Sequence, residues 1–388
     1  MVISAPRPGM PEADASIGVV LPALERHPRA RAVLGPALVP GGLPSHAYLF
    51  HGPGGAGKRA AARAVAAELL AADEADPADA RARVESGSHP DLTWVAPSGA
   101  HEILVSDIDG PVIAAASRTP FESNRRVFVI ERVDELGDEA ANRMLKTLEE
   151  PASFVHLILL TDRLMEVLPT IRSRCQLVRF DAPGFEEIAA TLRAEGVGPQ
   201  RAEACARLSL GDAERARTLA SDGGAALRAG AERLARAALA GEVSGTEPWS
   251  ELLRSVRARG EAVRSELEAL GAAEIELYPR KERKRIETEW SERARRARRR
   301  TETAALDLGL SLVSLWFGDL ICLSLGASDL VRNVDRSAEL EADGGRSPQR
   351  LREAVELVEE TRQRFQLNVS EDLACEALCY RLERAVSR

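Results

Sequence analysis

Lys58 is the residue with the clearest chemistry in this chain. It closes the run Gly52-Pro53-Gly54-Gly55-Ala56-Gly57-Lys58, in which Gly52-x4-Gly57-Lys58 has the spacing of a phosphate-binding loop. Glycines let backbone N–H groups curl around phosphate oxygens, and the lysine adds its charge at the start of a helix. Arg59 follows at once, where a loop that works with a divalent cation needs a hydroxyl. A guanidinium carries only donors and ligates no metal. Further along, Glu131 ends the apolar run Val127–Ile130 and is followed by Arg132, while Thr161 and Asp162 end the run Val155–Leu160. Arg172 and Arg174 sit together in Leu168–Cys175, LPTIRSRC. A planar, permanently charged guanidinium is suited to meeting phosphoryl charge.

These residues need elements to hold them. Ala47–Phe50, Val127–Ile130 and Val155–Leu160 are short apolar runs, as expected of buried parallel strands, whose C-terminal edge is where such sheets bind ligands. Lys58 onward is an Ala-rich helix, and Asp138–Glu150 carries Ala141, Met144, Leu145 and Leu148 at helical spacing until Pro151 stops it. Residues 1–16 read as disordered, and Ile17–Leu38 as a short helical entry. After Phe180-Asp181 come three short amphipathic segments, Phe185–Ala194, Gln200–Leu208 and Asp212–Ala220, split at glycines. Gly223-Gly224 and residues 241–248 read as linkers. Beyond them, Trp249–Gly271, Lys281–Gly326 and Pro348–Arg388 read as long helices, with Leu306–Leu325 apolar nearly all round, as in the centre of a bundle.

At 388 residues the chain has room for two or three domains, and its net charge of −8 gives no global pull toward nucleic acid. Its five cysteines are scattered and read as reduced core thiols. The N-terminus has no basic-then-apolar leader, and the apolar run Leu308–Gly318 is too short to span a bilayer. Charge is uneven, however. Arg280–Arg300 holds eleven Lys or Arg against four Glu, which fits a solvated helix face or a contact with phosphate or a partner.

The order strand, acid, helix, MLKTLEEP, strand, Thr, Ser173-Arg174-Cys175 resembles the clamp-loader branch of the AAA+ ATPases. MLKTLEEP and PTIRSRCQ, with HAYLF at 46–50, SHPDL at 88–92 and PFESNRRVFVIE at 120–131, resemble the bacterial DNA polymerase III clamp loader. The resemblance implies an α/β P-loop (AAA+) parallel-sheet domain over 17–182, a small three-helix lid over 183–228 and an all-α collar for oligomerisation over 241–388. It implies a degenerate nucleotide site of Gly52, Gly54, Gly55, Ala56, Gly57, Lys58, Arg59, Glu131 and Thr161, with ATP or ADP weakly bound at most. Arg174 would be an arginine finger reaching in trans into a neighbour's ATP site.

The departures from the family pattern matter as much. Motor subunits have Ser or Thr where this chain has Arg59, and Asp-Glu where it has Glu131-Arg132, so its own ATPase activity is expected to be weak or absent. That is similar to the family's non-motor, delta-prime-type subunits. The family's four-cysteine zinc module is missing, since Ala71–Ser88 contains neither Cys nor His, so no zinc and no other metal is expected. His89 and His101 are expected at the surface. At the lid position where active members use an arginine on the γ-phosphate stands Glu214, and Arg215 reads as a helix-surface charge. The implied partners are the gamma/tau and delta subunits and, through the complex, the sliding clamp and primer-template DNA, in the cytoplasm and away from membrane. Two other readings are an ATP-hydrolysing gamma/tau-type motor and a non-replicative AAA+ scaffold protein.

Overall fold

The computed structural model describes residues 21–39, 41–72, 74–97, 103–276, 278–365 and 369–387. The expected disorder over 1–16, the start of the entry segment and His101 lie outside them.

Five strands make one parallel sheet: β1 (Ala47–His51), β2 (Leu92–Val95), β3 (Arg126–Ile130), β4 (Val155–Thr161) and β5 (Gln176–Arg179), in the order β2-β3-β4-β1-β5. The three central strands are the continuous apolar runs, because helices cover both faces. Helix Lys58–Ala71 packs on one face with Val65, Leu69 and Leu70, and helix Asp138–Glu149 covers the other with Ala141, Met144 and Leu148. The fold class expected from the sequence is the one observed. Neighbouring strands β3, β4 and β1 end side by side, so the segments following Ile130, Thr161 and His51 meet at one edge although they are far apart in sequence.

Asp91 explains two sequence motifs at once. Its fully buried carboxylate accepts the backbone N–H groups of Phe121 at 2.7 Å and of Glu122 and Ser123 at 3.0 Å, which fixes the turn leading into β3. His89, expected at the surface, is buried beside it, because its Nδ1 accepts the Asp91 N–H within the same turn.

The rest of the chain is helical, with one apolar core running from Ile188 to Val386. Here the structure corrects the sequence reading. Gly223-Gly224 is no linker: helix Asp222–Ala240 runs through it and through the expected boundary at 228, and joins the bundle core with Leu227, Leu234 and Ala238. Ser221 caps that helix by accepting the Gly224 N–H at 3.1 Å, and the turn is so tight that a Cβ on Gly224 would lie 1.9 Å from the Thr218 carbonyl oxygen. Glycine is required there by crowding, not by flexibility. Pro348–Arg388, read as continuous helix, is instead the two helices Pro348–Arg364 and Glu371–Val386.

Helices Pro248–Ile275 and Arg280–Ser324 form a long antiparallel hairpin. The second half of the latter is the bundle's central helix, burying Leu310, Val313, Trp316, Phe317 and Leu320. By length and composition an 18-residue window of it would span a bilayer, longer than the Leu308–Gly318 run, but 56% of that window is buried in the bundle. Asp319, fully buried within it, accepts the backbone N–H groups of Arg332 and Asn333 at 3.1 and 2.8 Å and pins the following loop to the core. All five cysteines are free thiols, and Cys205, Cys375 and Cys379 are buried.

Candidate functional site

A cavity of about 650 Å³ opens where the sheet edge faces the three short helices of the lid. Gly54, Gly55, Gly57, Lys58, Arg59, Glu131 and Thr161 line it, together with Asp162, Asp212 and Glu214. Sequence positions read as one nucleotide site therefore do converge; of the others, Gly52 gives its carbonyl to Lys58 and Ala56 is buried beneath the loop.

Inside this cavity the charged groups already have partners. Lys58 Nζ, on a side chain only 7% exposed, donates to the carbonyls of Gly52 at 2.7 Å and Pro53 at 2.6 Å and pairs with Asp162 Oδ1 at 2.7 Å. Asp212, which caps the third lid helix by accepting the Arg215 N–H at 2.9 Å, closes over the loop glycines. A Cβ on Gly54 would lie 2.4 Å from Asp212 Oδ2, and one on Gly55 2.3 Å from Oδ1. At Gly55 a Cβ would also meet the Ala213 backbone nitrogen at 2.3 Å, so a larger residue there would push that helix away, whereas at Gly54 the carboxylate alone would have to turn aside. An internal carboxylate thus stands over the stretch of loop that would cradle a phosphate.

Arg59 occupies the ground between the sheet and the lid. Its Nη2 and Nε both donate to Glu131 Oε2, at 2.6 and 3.0 Å, and its Nη1 reaches Glu214 Oε2 at 3.3 Å. The remaining Glu131 oxygen accepts Trp94 Nε1–H at 2.7 Å. Burial alone would lower the Arg59 pKa, but Glu131 and then Glu214 outweigh it and hold the guanidinium above its ordinary value. The donor set does not suit a divalent cation: both oxygens of the nearest carboxylate are engaged, and the group standing where a ligand hydroxyl is needed is itself a cation. Arg132 sits in left-handed backbone at φ 52° and turns its guanidinium onto Glu135. Thr161 donates its hydroxyl to Asp134 Oδ1 at 2.6 Å and accepts the Arg163 N–H at 2.9 Å, so it is spent on the β4 edge.

Arg174 stands apart. It is not among the residues lining the cavity, and its exposed side chain donates to the Thr170 carbonyl at 2.9 Å and pairs with Glu149. Arg215 differs from its expected place. Rather than a surface charge, it reaches across to the central bundle helix and donates to Ser311 Oγ at 2.9 Å, and burial lowers its pKa. Sequence reasoning missed Trp94, Asp212 and the pairing role of Glu214, because each acts only through residues distant in the chain; Asp212 alone left a local trace, as a helix-capping acid after Gly211.

Three histidines border this half of the molecule with lowered pKa values: His27 and His51 through burial and the nearby Arg26 or Arg179, and His156 through burial, then Arg125 and His46. Each ring takes up a proton more readily in the unfolded chain, near the ordinary 6.5, than in the fold. Stability from these sites is therefore complete above that pH and is lost as the pH falls below it. A thermal melt at pH 5.5 is expected to show a lower midpoint than one at pH 7.5, and His156→Gln should narrow the gap. An equal gap in both proteins would exclude His156 from the effect.

The family model described as DNA polymerase III, delta subunit, matches residues 39–184. The Bacillus subtilis DNA polymerase III subunit delta' is 35% identical over 174 residues, which are 44% of this chain and 52% of that protein. The tau subunit of the same organism is 38% identical over 145 residues, 35% of this chain and 24% of tau. Among solved structures, a gamma subunit-related protein of Thermotoga maritima aligns over 88% of this chain and 95% of its own, with 16% identity and a TM-score of 0.45. The match to delta' thus spans about half the length of that relative. Over residues 39–184 the chain is thus similar to the DNA polymerase III delta-subunit family, and its relatives there include both delta' and tau subunits.

Proposed function

We propose that this chain is a non-motor, delta'-type subunit of a DNA polymerase III clamp loader, acting in the cytoplasm with gamma/tau and delta subunits to place a sliding clamp on primed DNA. It contributes no ATP turnover of its own. It lends Arg174 to the ATP site of the neighbouring subunit, where a guanidinium inserted in trans stabilises charge on the transferring phosphoryl group. One observation carries this reading: Arg59 is paired to Glu131 at 2.6 Å, across the place where a working site needs a metal and its ligand, while Arg174 stays exposed outside the chain's own cavity. An adenine nucleotide entering the cavity would have to displace Asp162 from Lys58 and Asp212 from the loop, so ATP or ADP binds weakly at most.

The test mixes the purified full chain with gamma/tau and delta subunits. Expected are co-elution as one assembly and no magnesium-dependent ATP turnover above background by the chain alone. Brisk turnover by the isolated chain would make it a motor. Failure to assemble with either partner would leave a scaffold role outside replication.

A further inference from the structure

The positive stretch at the start of helix Arg280–Ser324 plays no part in the site described above. Its buried side carries Ile286 and Ala294, and Trp290 lies across Gly271 of the partner helix, where a Cβ would meet the indole at 2.8 Å. Several of its cations are used internally: Arg285 pairs with Glu289, Arg296 with Glu292, Arg298 with Glu302 and Arg299 with Glu371. Arg280, Lys281, Lys284 and Arg295 are different. All four are exposed and, among the described residues, none makes an ion pair or a side-chain hydrogen bond.

At about 100° per residue, these four and the exposed hydroxyls of Thr288 and Ser291 fall on one arc of roughly 100°, opposite Ile286 and Trp290. Glu287 and Glu292 flank the arc without interrupting it, and Glu292 is paired with Arg296. At about 1.5 Å per residue the row is some 22 Å long. The hairpin passes beside the sheet domain: Arg300 lies near Arg132 and Glu135, and a cavity beside it is lined by Trp94 and Pro97. A chain of net charge −8 therefore presents one row of unpaired cations on an exposed helix face.

We infer that this row binds the phosphate backbone of duplex DNA without reading its sequence. Four unpaired cations and the Ser291 hydroxyl along one helix face suit a regular line of phosphates, which on one strand recur about every 3.4 Å of helix axis, whereas the Thr288 hydroxyl is already given to the Lys284 carbonyl. A single strand is a poorer fit, because such sites add exposed aromatic rings for base stacking, and the tryptophan of this segment faces inward. The proposed function does not require this contact, so its failure would leave that reading standing.

The experiment measures fluorescence anisotropy of a labelled mixed-sequence duplex with the full chain at rising salt. With four phosphates neutralised, log affinity should fall against log salt with a slope of about −3.6, or about 150-fold between 50 and 200 mM. The variant with Arg280→Gln, Lys281→Gln, Lys284→Gln and Arg295→Gln together should lose most of that binding and its salt slope while keeping its melting midpoint. A labelled single strand should bind more weakly, and labelled polyglutamate more weakly still. Duplex binding that survives in the folded variant, or polyglutamate binding as tight as duplex, would overturn the proposal; if the variant does not fold, charge reversal at Lys284 and Arg295 alone gives the same reading.

Discussion

Arg174→Ala is expected to slow ATP turnover at the adjoining site of the assembled complex by about 10³-fold or more, while leaving assembly intact. The side chain is exposed and contributes to its own domain hydrogen bonds to the Thr170 carbonyl and the adjacent Ser173 hydroxyl and a surface pair with Glu149, so its loss should barely move the melting midpoint. Arg174→Lys should recover little, because an ammonium keeps the charge but lacks the planar fork that meets two oxygens at once. Glu149→Gln supplies the opposite control. If Arg174 must leave Glu149 to enter a neighbour's site, freeing it in advance should leave turnover unchanged or raise it. The readout is steady-state hydrolysis by the mixture with clamp and primed DNA, beside co-elution of each variant. Normal turnover by an intact assembly carrying Arg174→Ala would end the finger assignment.

Arg59→Thr is expected to destabilise the isolated chain by about 1–2 kcal/mol. Removing one partner of a buried pair costs about 3–5 kcal/mol, and the figure is discounted here because the Arg59 side chain is 55% exposed while that of Glu131 is only 9%. What remains is a buried carboxylate held by Trp94 alone and a lid that has lost its link through Glu214. Glu131→Gln added to Arg59→Thr should return part of the loss, since the uncompensated charge is gone. Magnesium ions sharpen the test. If Arg59 stands where a cation would, millimolar magnesium should raise the melting midpoint of Arg59→Thr and leave the natural chain unmoved. Indifference of both proteins to magnesium would mean that the guanidinium fills no cation's place.

The two substitutions look alike in sequence, each an arginine in a recognisable motif, yet they were legible to different degrees. That Lys58 starts a helix after a glycine loop, that Glu131 and Thr161 end buried strands and that Arg174 follows a short segment after β4 could all be read from contiguous residues, because glycine spacing, apolar runs and chain order are local properties. So could the loss of the hydroxyl at Arg59 and of an acid at Arg132, since both are questions of residue type.

Where the Arg59 guanidinium goes was decided only in three dimensions. Glu131 is 72 residues away and Glu214 is 155, and both reach Arg59 because β3, β4 and β1 are neighbours in the sheet and the lid folds back over their ends. Gly224, Arg215 and His89 were misread for the same reason. Glycine signals a linker only where nothing crowds it, and a charged or polar residue marks the surface only where no partner waits inside; the Thr218 carbonyl, the Ser311 hydroxyl and the Asp91 turn are what reversed those three readings. The sequence by itself determined the sheet, the glycine loop and the arginines at 59 and 132, because each is written in adjacent residues. Tertiary structure alone determined that Lys58 and Arg59 are held by Asp162, Glu131 and Glu214, because a pair exists only once folding brings both charges to one place.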